Sequence, residues 1–344
     1  MKKLKVVHLL DDLSLGGVTQ ALAIFEQAAL AEVIESSVCQ VNPEGCRVPE
    51  IDADIIITHF SPRWRALPFM AALRWRYRNA RLMHIEHSYT AAWEARCVPH
   101  RWRFRRMLSL YYRFFERVVA VSKAQRQWLH QAVGVPARRL CVIPPWSPTE
   151  ALEHLPLSDW RGQRPLVVGA YGRFSEQKGL EALIERFTAL DSKRFELRVG
   201  GFGPLEDTLR KIAGEAPHIH FTGPVSSRAE FLEQCDVIAI PSRWEAWGLV
   251  ATEARQAGRP ILVSDVDGLP EQVGQAGYLV DFDSPTGLRY RLEEMTGIEL
   301  ICMGHAGRSS VTDLVKERTT AWRELLAPCP HQNAERLLQG TRPA

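Results

Sequence analysis

The feature of this sequence that most constrains its fold is a regular alternation of short apolar runs with segments that favour helix. In the first half the apolar runs are "LKVVHLL", "ADIIITH", "RLMHIEH", "RVVAVS" and "LCVIPP", and helices are expected from about Gly17 and Lys123. Buried strands that alternate with helices form parallel sheets, because each crossover returns the chain to the same end of the sheet. Residues 1–146 are therefore predicted to form a doubly wound α/β domain.

A proline-rich stretch, "PPWSPTEALEHLPLSDWRGQRP", follows this set and predicts a linker over residues 147–165. A second set, "LVVGAYG", "FELRVGG", "HIHFTG", "DVIAIPS", "PILVSD" and "GYLVDF", predicts another α/β domain over residues 166–311. Ligands of such sheets bind at the carboxyl ends of the strands, so the two domains are expected to face one central cleft. In residues 312–344, "VTDLVKERTTAWRELL" predicts an amphipathic helix that packs back on the first domain, followed by a loose tail.

The composition, with 46% hydrophobic and 24% charged residues, is typical of a globular protein. No apolar run reaches membrane-spanning length, and the start "MKKLKVVHLLDDLS" becomes acidic where a signal peptide would stay apolar. The seven cysteines lack a C-x-x-C pair, which favours reduced thiols over disulfides or a zinc site. We therefore expect a soluble cytoplasmic protein.

The stretch "RWEAWGLVATEARQAGRPILVSD", residues 243–265, carries two glutamates, Glu245 and Glu253, with seven residues between them. In one continuous helix these side chains would lie roughly 80° apart around the axis, a poor arrangement for a shared task. A helix that begins at Gly248 and ends at Gly258 instead places Glu245 in the loop after a strand and Glu253 in the second helical turn. The free amides around Gly248 and Leu249 then lie between the two carboxylates.

Amides at a helix start attract phosphate, and carboxylates beside a phosphate need neutral hydroxyls as partners. A phosphate flanked by hydroxyls is found in a sugar nucleotide. On this segment alone, a solvated helix glutamate and a loop charge are the simpler interpretation.

Other loops leave predicted strand ends in the same manner. "LVVGAYGRFSEQKGLEAL" places Arg173 and Lys178 just ahead of a helix, which suits a diphosphate, although ordinary turn and capping chemistry explains an isolated pair equally well. "DDLSLGGVTQAL" places Gly16 and Gly17 where a ligand can approach the backbone, although a tight turn alone can require two glycines.

"RLMHIEHSYT" ends a strand with three candidate side chains. Alternation directs His84 and Glu86 to one face and His87 to the other, at the edge of the cleft. A lone histidine at a strand end is more often a structural hydrogen-bonding group than a catalyst. Dehydrogenase, P-loop and hydrolase motifs are not matched, since "VGGFGP" lacks the third glycine of the dinucleotide fingerprint and "VAVSKA" is not a nucleophile elbow.

Taken together, "LGG", "HSY", "GRFSEQKG", "GGFGP", "FTGPVS" and "PSRWEAWGLVATEARQAGRPILVSD" resemble the retaining, nucleotide-sugar-dependent glycosyltransferases with the GT-B fold and the E-x7-E motif. The resemblance spans the chain from about Leu4 to Val280 and implies two Rossmann-like domains, the first for the acceptor and the second for the donor. It implies that four residues act on the transferred sugar and its diphosphate: His87, Arg173, Lys178 and Glu245. It implies that the donor is bound by Gly16, Gly17, Gly172, Gly248, Leu249, Val250 and Glu253.

The activity that the resemblance implies is transfer of a hexose-type sugar, with retention at the anomeric carbon, from a nucleoside-diphosphate sugar, with UDP as the favoured nucleotide. The donor is a substrate, and neither a metal nor another cofactor is expected. The implied acceptor is a saccharide, with a lipid-linked saccharide or a glycolipid in cell-surface polysaccharide biosynthesis as the favoured kind. The chain departs from the family in its short length and in Trp247, where phenylalanine is common, so the donor sugar stays undetermined.

The first 146 residues carry 21 Lys and Arg against 12 Asp and Glu, or +9, whereas the remainder carries 22 against 28, or −6. Between Arg63 and Arg106 there are eleven arginines, four tryptophans and only two acidic residues. This composition suits an anionic membrane surface or nucleic acid, and a solvated helix face is a third interpretation. Because many enzymes of the resembling family act on lipid-linked acceptors, we expect Arg63–Arg117 to bind the inner face of the cell membrane, and no nucleic acid.

Two other classes of function remain open from the sequence. One is a sugar-nucleotide epimerase or a phosphorylase of the same fold, which would react without a separate acceptor. The other is a catalytically silent module that binds membrane or nucleic acid. A glycosidase is disfavoured, because two carboxylates separated by a phosphate-binding helix start do not flank a glycosidic bond.

Overall fold

In the computed structural model, residues 3–13, 16–45, 47–146, 148 and 152–327 are described, and they form two α/β lobes. Each lobe contains one six-stranded sheet in which every strand pair is parallel. The strand order is β2-β1-β3-β4-β5-β6 in the first lobe and β12-β11-β10-β7-β8-β9 in the second. Both orders reverse direction beside the first strand of the lobe, which is the doubly wound pattern.

The described residues of the first lobe form six strands and six α-helices. Its strands are β1 (Leu4–Leu10), β2 (Ile34–Gln40), β3 (Ile55–Thr58), β4 (Arg81–Glu86), β5 (Arg117–Ala120) and β6 (Leu140–Val142). Its helices are α1 (Gly17–Ala21), α2 (Ala28–Ala31), α3 (Leu67–Arg76), α4 (Ala91–Cys97), α5 (Arg101–Tyr111) and α6 (Lys123–Gln131). The five strands expected from the apolar runs of this half are all present.

The second lobe has the same plan and ends in a group of helices. Its strands are β7 (Leu166–Arg173), β8 (Phe195–Phe202), β9 (Ile219–Gly223), β10 (Val237–Ile240), β11 (Ile261–Val263) and β12 (Gly277–Leu279). Its helices are α7 (Leu180–Thr188), α8 (Glu206–Ala213), α9 (Arg228–Glu233), α10 (Leu249–Gln256), α11 (Gly287–Glu294) and α12 (Gly297–Ser309). The last helix is α13 (Leu314–Leu326).

The apolar runs form the central strands, because helices cover both faces of each sheet. Every residue of β3, β4 and β10 is buried, as expected where helices pack on both sides of a parallel sheet. The strand that the apolar pattern does not predict is β2, "IESSVCQ", which lies at the edge of the first sheet and is mostly exposed. An edge strand with a solvated face shows no continuous apolar run.

The segment predicted as a linker packs against the second lobe where it is described. Leu152 is buried in the core beside β10 and β11. Ser158 donates a hydrogen bond to Asp236 (2.5 Å), and Arg164 forms an ion pair with the same carboxylate (2.6 Å). Residues 147 and 149–151 of this segment lie outside the described residues.

Helix α13 connects the end of the second lobe to the first lobe. The rings of Trp322 and Phe25 are 4.8 Å apart. The buried guanidinium of Arg81 donates hydrogen bonds of 3.0 Å to the carbonyl oxygens of Leu325, Leu326 and Ala327, which the end of a helix leaves without partners. The predicted loose tail, residues 328–344, lies outside the described residues. Among the helices that are described, none has the length and apolarity needed to cross a bilayer.

Candidate active site

The start of α10 lies at the carboxyl end of β10, on the cleft between the lobes. Gly248 precedes this helix with a φ of +89°, and a Cβ atom there would lie 2.8 Å from Leu269 Cδ2 and 3.2 Å from Glu245 Cγ. Both facts require glycine. The helix begins at Leu249, between Glu245 and Glu253, as the sequence predicted, and its first amides have no partner within the helix.

A buried glutamine holds this loop in place. Gln272 Nε2 donates hydrogen bonds to the carbonyl oxygens of Trp247 (2.6 Å) and Gly248 (3.0 Å), and its Oε1 accepts one from the Thr252 hydroxyl (2.8 Å). The Trp247 indole is buried and donates to Thr252 (3.1 Å). Sequence reasoning missed Gln272, because a single glutamine in a short turn carries no periodic signal.

Lys178 and Glu245 lie together at this helix start. Lys178 Nζ is 2.5 Å from Glu245 Oε2, and the Ser242 hydroxyl donates to the same oxygen (3.3 Å). The turn that carries Lys178 is pressed against the exit of β10, because a Cβ on Gly179 (φ +59°) would lie 2.2 Å from the carbonyl oxygen of Pro241. Close glycine packing therefore brings the cation to the carboxylate.

Arg173 ends β7 and is exposed at the mouth of the cleft. The preceding Gly172 has a φ of +142°, and its carbonyl oxygen would be 1.9 Å from a Cβ on Gly201. A Cβ on Gly203 would lie 2.5 Å from the carbonyl oxygen of Phe174. The "GGFGP" turn thus supports the loop of Arg173 from beneath, and larger residues at these glycines would displace it.

Glu253 is buried, with 3% of its surface exposed, and already has two protein partners. Arg228 forms an ion pair with Glu253 Oε1 (3.0 Å), and the Tyr171 hydroxyl donates to Oε2 (2.5 Å). Burial and the neighbouring Glu253 raise the pKa of Tyr171 well above its usual range, so this hydroxyl keeps its proton. The sequence analysis identified neither Arg228 nor Tyr171, although Arg228, at the first position of α9, lies two residues after the quoted "FTGPVS".

The glycine turn of the first lobe faces the same helix. A Cβ on Gly17 would lie 3.5 Å from Leu249 Cδ1 of the opposite lobe. The amide of Gly16 donates to the Thr19 hydroxyl (2.9 Å), and the Gly16 backbone is extended, with a φ of −158°. A Cβ at that distance would make an ordinary contact, so the approach of the second lobe does not require glycine at Gly17, and the extended φ does not require it at Gly16. Residues 14 and 15 lie outside the described residues.

His87 follows β4 in a loop that a buried carboxylate organises. Glu86 accepts hydrogen bonds from the amides of Ser88 (2.8 Å) and Tyr89 (2.9 Å) and from the Tyr112 hydroxyl (2.6 Å). Glu86 also lies 3.4 Å from His84, and the ring of His87 is directed elsewhere, so the predicted division of the three side chains between two faces is confirmed. Burial lowers the pKa of His87 to about 4, against the opposing charge of Glu86, so the ring is neutral near pH 7.

Two carboxylates of the second lobe cap helices of the first lobe across the cleft. Asp267 accepts hydrogen bonds from the amides of Ala92 in α4 (3.0 Å) and of Glu245 (3.1 Å). Glu271 accepts from the amides of Lys123 (3.0 Å) and Ala124 at the start of α6. Asp267 has a φ of +46°, uncommon for a residue other than glycine. These contacts fix Glu245 relative to the first lobe, and the sequence analysis identified neither Asp267 nor Glu271.

Two α/β lobes, each with a parallel sheet, face a cleft in which a lysine and a helix start can bind phosphate. This arrangement is the GT-B fold. Residues 47–150 match the family model described as Glycosyltransferase Family 4, and residues 165–296 match the model described as Glycosyl transferases group 1. The chain therefore contains two segments that match glycosyltransferase domain models, on two lobes in the GT-B arrangement.

Similar proteins include two mannosyltransferases. The phosphatidyl-myo-inositol mannosyltransferase of Mycolicibacterium smegmatis is 30% identical over 201 residues, which are 56% of this chain and 51% of that protein. The GDP-mannose-dependent alpha-(1-6)-phosphatidylinositol monomannoside mannosyltransferase of Mycobacterium tuberculosis is 32% identical over 223 residues, which are 57% of each. The chain thus spans about half the length of these curated relatives.

The similarity in solved structures extends over nearly the whole chain. HepE of Anabaena, in complex with UDP-glucose, superposes with a TM-score of 0.74 at 18% identity, over 94% of this chain and 99% of that one. WaaG, a glycosyltransferase involved in lipopolysaccharide biosynthesis, superposes with a TM-score of 0.66 at 14% identity, over 91% and 98%. At these identities the similarity establishes the fold, and the predicted GT-B architecture is confirmed.

Proposed function

We propose that this protein is a retaining glycosyltransferase that moves a hexose-type sugar from a nucleoside-diphosphate sugar to a saccharide or lipid-linked acceptor. The observation that carries this proposal is the ion pair of Lys178 with Glu245 beside Gly248, at the start of α10, where the first amides of a helix have no partner within the helix. Gly17 of the opposite lobe faces the Leu249 side chain at the same helix start. A cation and helix-start amides suit a phosphate, and the carboxylate suits hydroxyls.

The donor diphosphate takes the place of Glu245 as the partner of Lys178. The ammonium group then faces phosphate oxygens, with Arg173 supplying a second cation and Gly172 allowing the backbone to approach. Glu245, released from its ion pair, accepts hydrogen bonds from hydroxyls of the transferred sugar. Glu253 accepts hydrogen bonds from the ribose hydroxyls in the same way. These hydroxyls bind the Glu253 carboxylate together with the Tyr171 hydroxyl, or they replace Arg228 as its partner.

The reaction proceeds through an oxocarbenium-like transition state as the bond from the anomeric carbon to the phosphate oxygen breaks. Negative charge develops on the leaving diphosphate, where Arg173, Lys178 and the α10 amides stabilise it more strongly than in the bound donor. The acceptor hydroxyl attacks from the face that the diphosphate leaves and gives its proton to the leaving phosphate oxygen. Retention follows, and neither a metal nor a protein nucleophile is required.

The nucleotide is testable in a panel of thermal unfolding measurements with UDP, GDP, ADP and TDP, each with and without magnesium. We expect one nucleotide, with UDP as the first candidate, to raise the melting temperature equally with and without the metal. GDP is the second candidate, because a relative is named GDP-mannose-dependent. At a hundredfold excess of ligand over Kd the stabilisation is about 2.7 kcal/mol. If no nucleotide shifts the transition, the donor site is refuted.

The membrane contact is the second part of the proposal. The stretch Arg63–Arg117, predicted to bind the membrane, contains both structural and exposed residues. Arg81 and Arg105 have carboxylate partners within the protein. Trp75 on α3 and Trp102 on α5 are 82% and 63% exposed. Exposed indoles next to exposed arginines suit the headgroup region of anionic lipid. We place the protein peripherally on the cytoplasmic face of the membrane, where a lipid-linked acceptor in cell-surface polysaccharide synthesis is presented.

Sedimentation with liposomes tests this contact. Vesicles of anionic lipid are expected to sediment the wild-type protein at low salt, and less of it as salt screens the arginines. Trp75→Ser combined with Trp102→Ser should reduce the bound fraction several-fold, because the indoles no longer enter the headgroup region. Ile298→Ser, which removes a 74% exposed apolar side chain from the second lobe, is the matched control and should leave binding unchanged. Equal loss in both variants, or no binding by the wild type, contradicts the membrane proposal.

A further inference from the structure

Three histidines from neighbouring strands form one hydrogen-bonded line, and the last of them, His87, lines a cavity together with Val18, the residue after Gly17. His8 lies in β1, His59 directly follows β3, and His87 directly follows β4. His8 Nδ1 is 2.9 Å from His59 Nε2, and His59 Nδ1 is 3.1 Å from His87 Nε2. We call His8, His59 and His87 the histidine line.

All three rings of the histidine line are neutral near pH 7. His8 is fully buried against the ring of Phe25 (4.3 Å between centroids), and His59 is 6% exposed. Burial lowers the pKa of His8 to about 3 and of His87 to about 4, and it holds the pKa of His59 well below its usual range. A neutral imidazole has one N–H and one acceptor nitrogen.

Because each ring has a single proton, the His8–His59 and His59–His87 hydrogen bonds must have the same donor-to-acceptor direction along the histidine line. If His8 donates from Nδ1, His59 must accept at Nε2 and donate from Nδ1, and His87 must accept at Nε2 and carry its proton on Nδ1. The opposite direction leaves the His8 proton on Nε2, an atom with no hydrogen-bond partner in the described part of the chain. Unpaired buried N–H groups are rarer in proteins than unpaired buried acceptors, so the first direction is favoured.

We propose that His8 and His59 are positioning residues that fix His87 in the Nδ1–H form, so that it presents a hydrogen-bond donor to the transferred sugar. The nature of the ligand rests on the proposed function, whereas the tautomer is a property of the free protein. The sugar atom opposite His87 is then an acceptor oxygen. Donor sugars that lack an oxygen at that position are poor substrates.

The histidine line does not act as a proton relay. It ends at His8 Nε2 in the core, so a proton that entered from the site would have no group to pass to. The other titratable groups that face the line are His84 and Glu86 of β4, which lower and raise the pKa of His87 respectively. His87 is therefore a fixed donor and not a general base.

Nuclear magnetic resonance of the free protein with ring-15N histidine tests the tautomer directly. We expect His87 and His59 to show a neutral ring with the proton on Nδ1 at pH 7.5 and also at pH 5.5. A histidine in free solution is largely protonated at the lower pH. Single substitutions assign the signals. A His87 ring that carries its proton on Nε2, or that is an imidazolium at pH 5.5, overturns the proposal.

Substitutions at His59 separate a positioning role from a merely structural one. His59→Leu should abolish the preference of His87 for Nδ1–H, whereas His59→Gln should retain it, because an amide supplies both a donor and an acceptor. His220→Leu, an exposed histidine of the second lobe, is the control. In sugar transfer, His59→Leu should lower kcat about tenfold, the factor that corresponds to one neutral hydrogen bond, with His59→Gln close to wild type. If transfer is absent in the wild type but the tautomer is found, only the proposed function fails.

Discussion

Replacement of Arg173 by alanine is expected to lower kcat for sugar transfer by about 10²–10³-fold, because one of the two cations that neutralise the departing diphosphate is lost. This corresponds to about 3–4 kcal/mol of transition-state stabilisation. The melting temperature of the free protein should not change, since Arg173 is exposed at the end of β7. Steady-state kinetics with the nucleotide sugar identified by the unfolding panel measure the effect.

A matched control separates loss of charge in the cleft from loss of charge in general. Arg210 is also exposed on the second lobe, where it pairs with Glu206 one helical turn away (2.8 Å). Such a surface pair contributes at most a few tenths of a kcal/mol, so Arg210→Ala should transfer sugar at the wild-type rate. Wild-type turnover in Arg173→Ala, or an equal loss in both variants, would remove Arg173 from the site.

Lys178 has a more complex role than its position in the sequence indicated. Its ion pair with Glu245 occupies both groups in the free protein, so donor binding must exchange one anion for another. The same holds for Glu253, which is already paired with Arg228. The E-x7-E spacing therefore predicts where the carboxylates lie, whereas their partners in the free state follow only from the fold.

The sequence is informative about the fold wherever burial is continuous. Central strands such as β3 and β10 are covered on both faces, so their apolar runs are visible without any knowledge of neighbours. Edge strand β2 carries polar residues on its exposed surface and gave no such signal. The positions of Lys178 and Glu245 at junctions of strand and helix were predictable for a related reason, because parallel sheets bring those junctions to one edge.

The residues that support the site were not predictable because each acts over a long sequence separation. Gln272 holds the carbonyl groups of residues 247 and 248. Asp267 and Glu271 bind amides that lie about 150 residues or more earlier in the chain. His8 and His59 meet only because β1 and β3 are neighbours. No local periodicity encodes such contacts; they depend on the approach of elements that the sequence alone does not place.

The buried histidines give the protein a stability that we expect to fall steeply in mild acid. His8 and His59 are unprotonated in the folded state because burial lowers their pKa values, that of His8 to about 3. In the unfolded chain both titrate near 6.5, so below that pH the unfolded state binds two more protons than the folded state. The contribution of these two residues to the free energy of unfolding should therefore be fully present above pH 7 and decrease by about 4 kcal/mol between pH 7 and pH 5, and His87 adds about 2 kcal/mol for the same reason.

Denaturant unfolding at half-unit intervals from pH 7 to pH 5 measures this decrease, and the double variant His8→Leu with His59→Leu identifies its source. The variant should lose only the share of His87, about 2 kcal/mol over the same range, because neither His8 nor His59 can then take up a proton on unfolding. Burial raises the pKa of Asp267, whereas hydrogen bonds lower that of Glu86 against the effect of burial. Both carboxylates are present in the wild type and in the variant, so their contribution cancels in the difference between the two profiles. If the wild type and the variant lose stability equally, the acid sensitivity lies elsewhere, and the histidine line is not held neutral by the core.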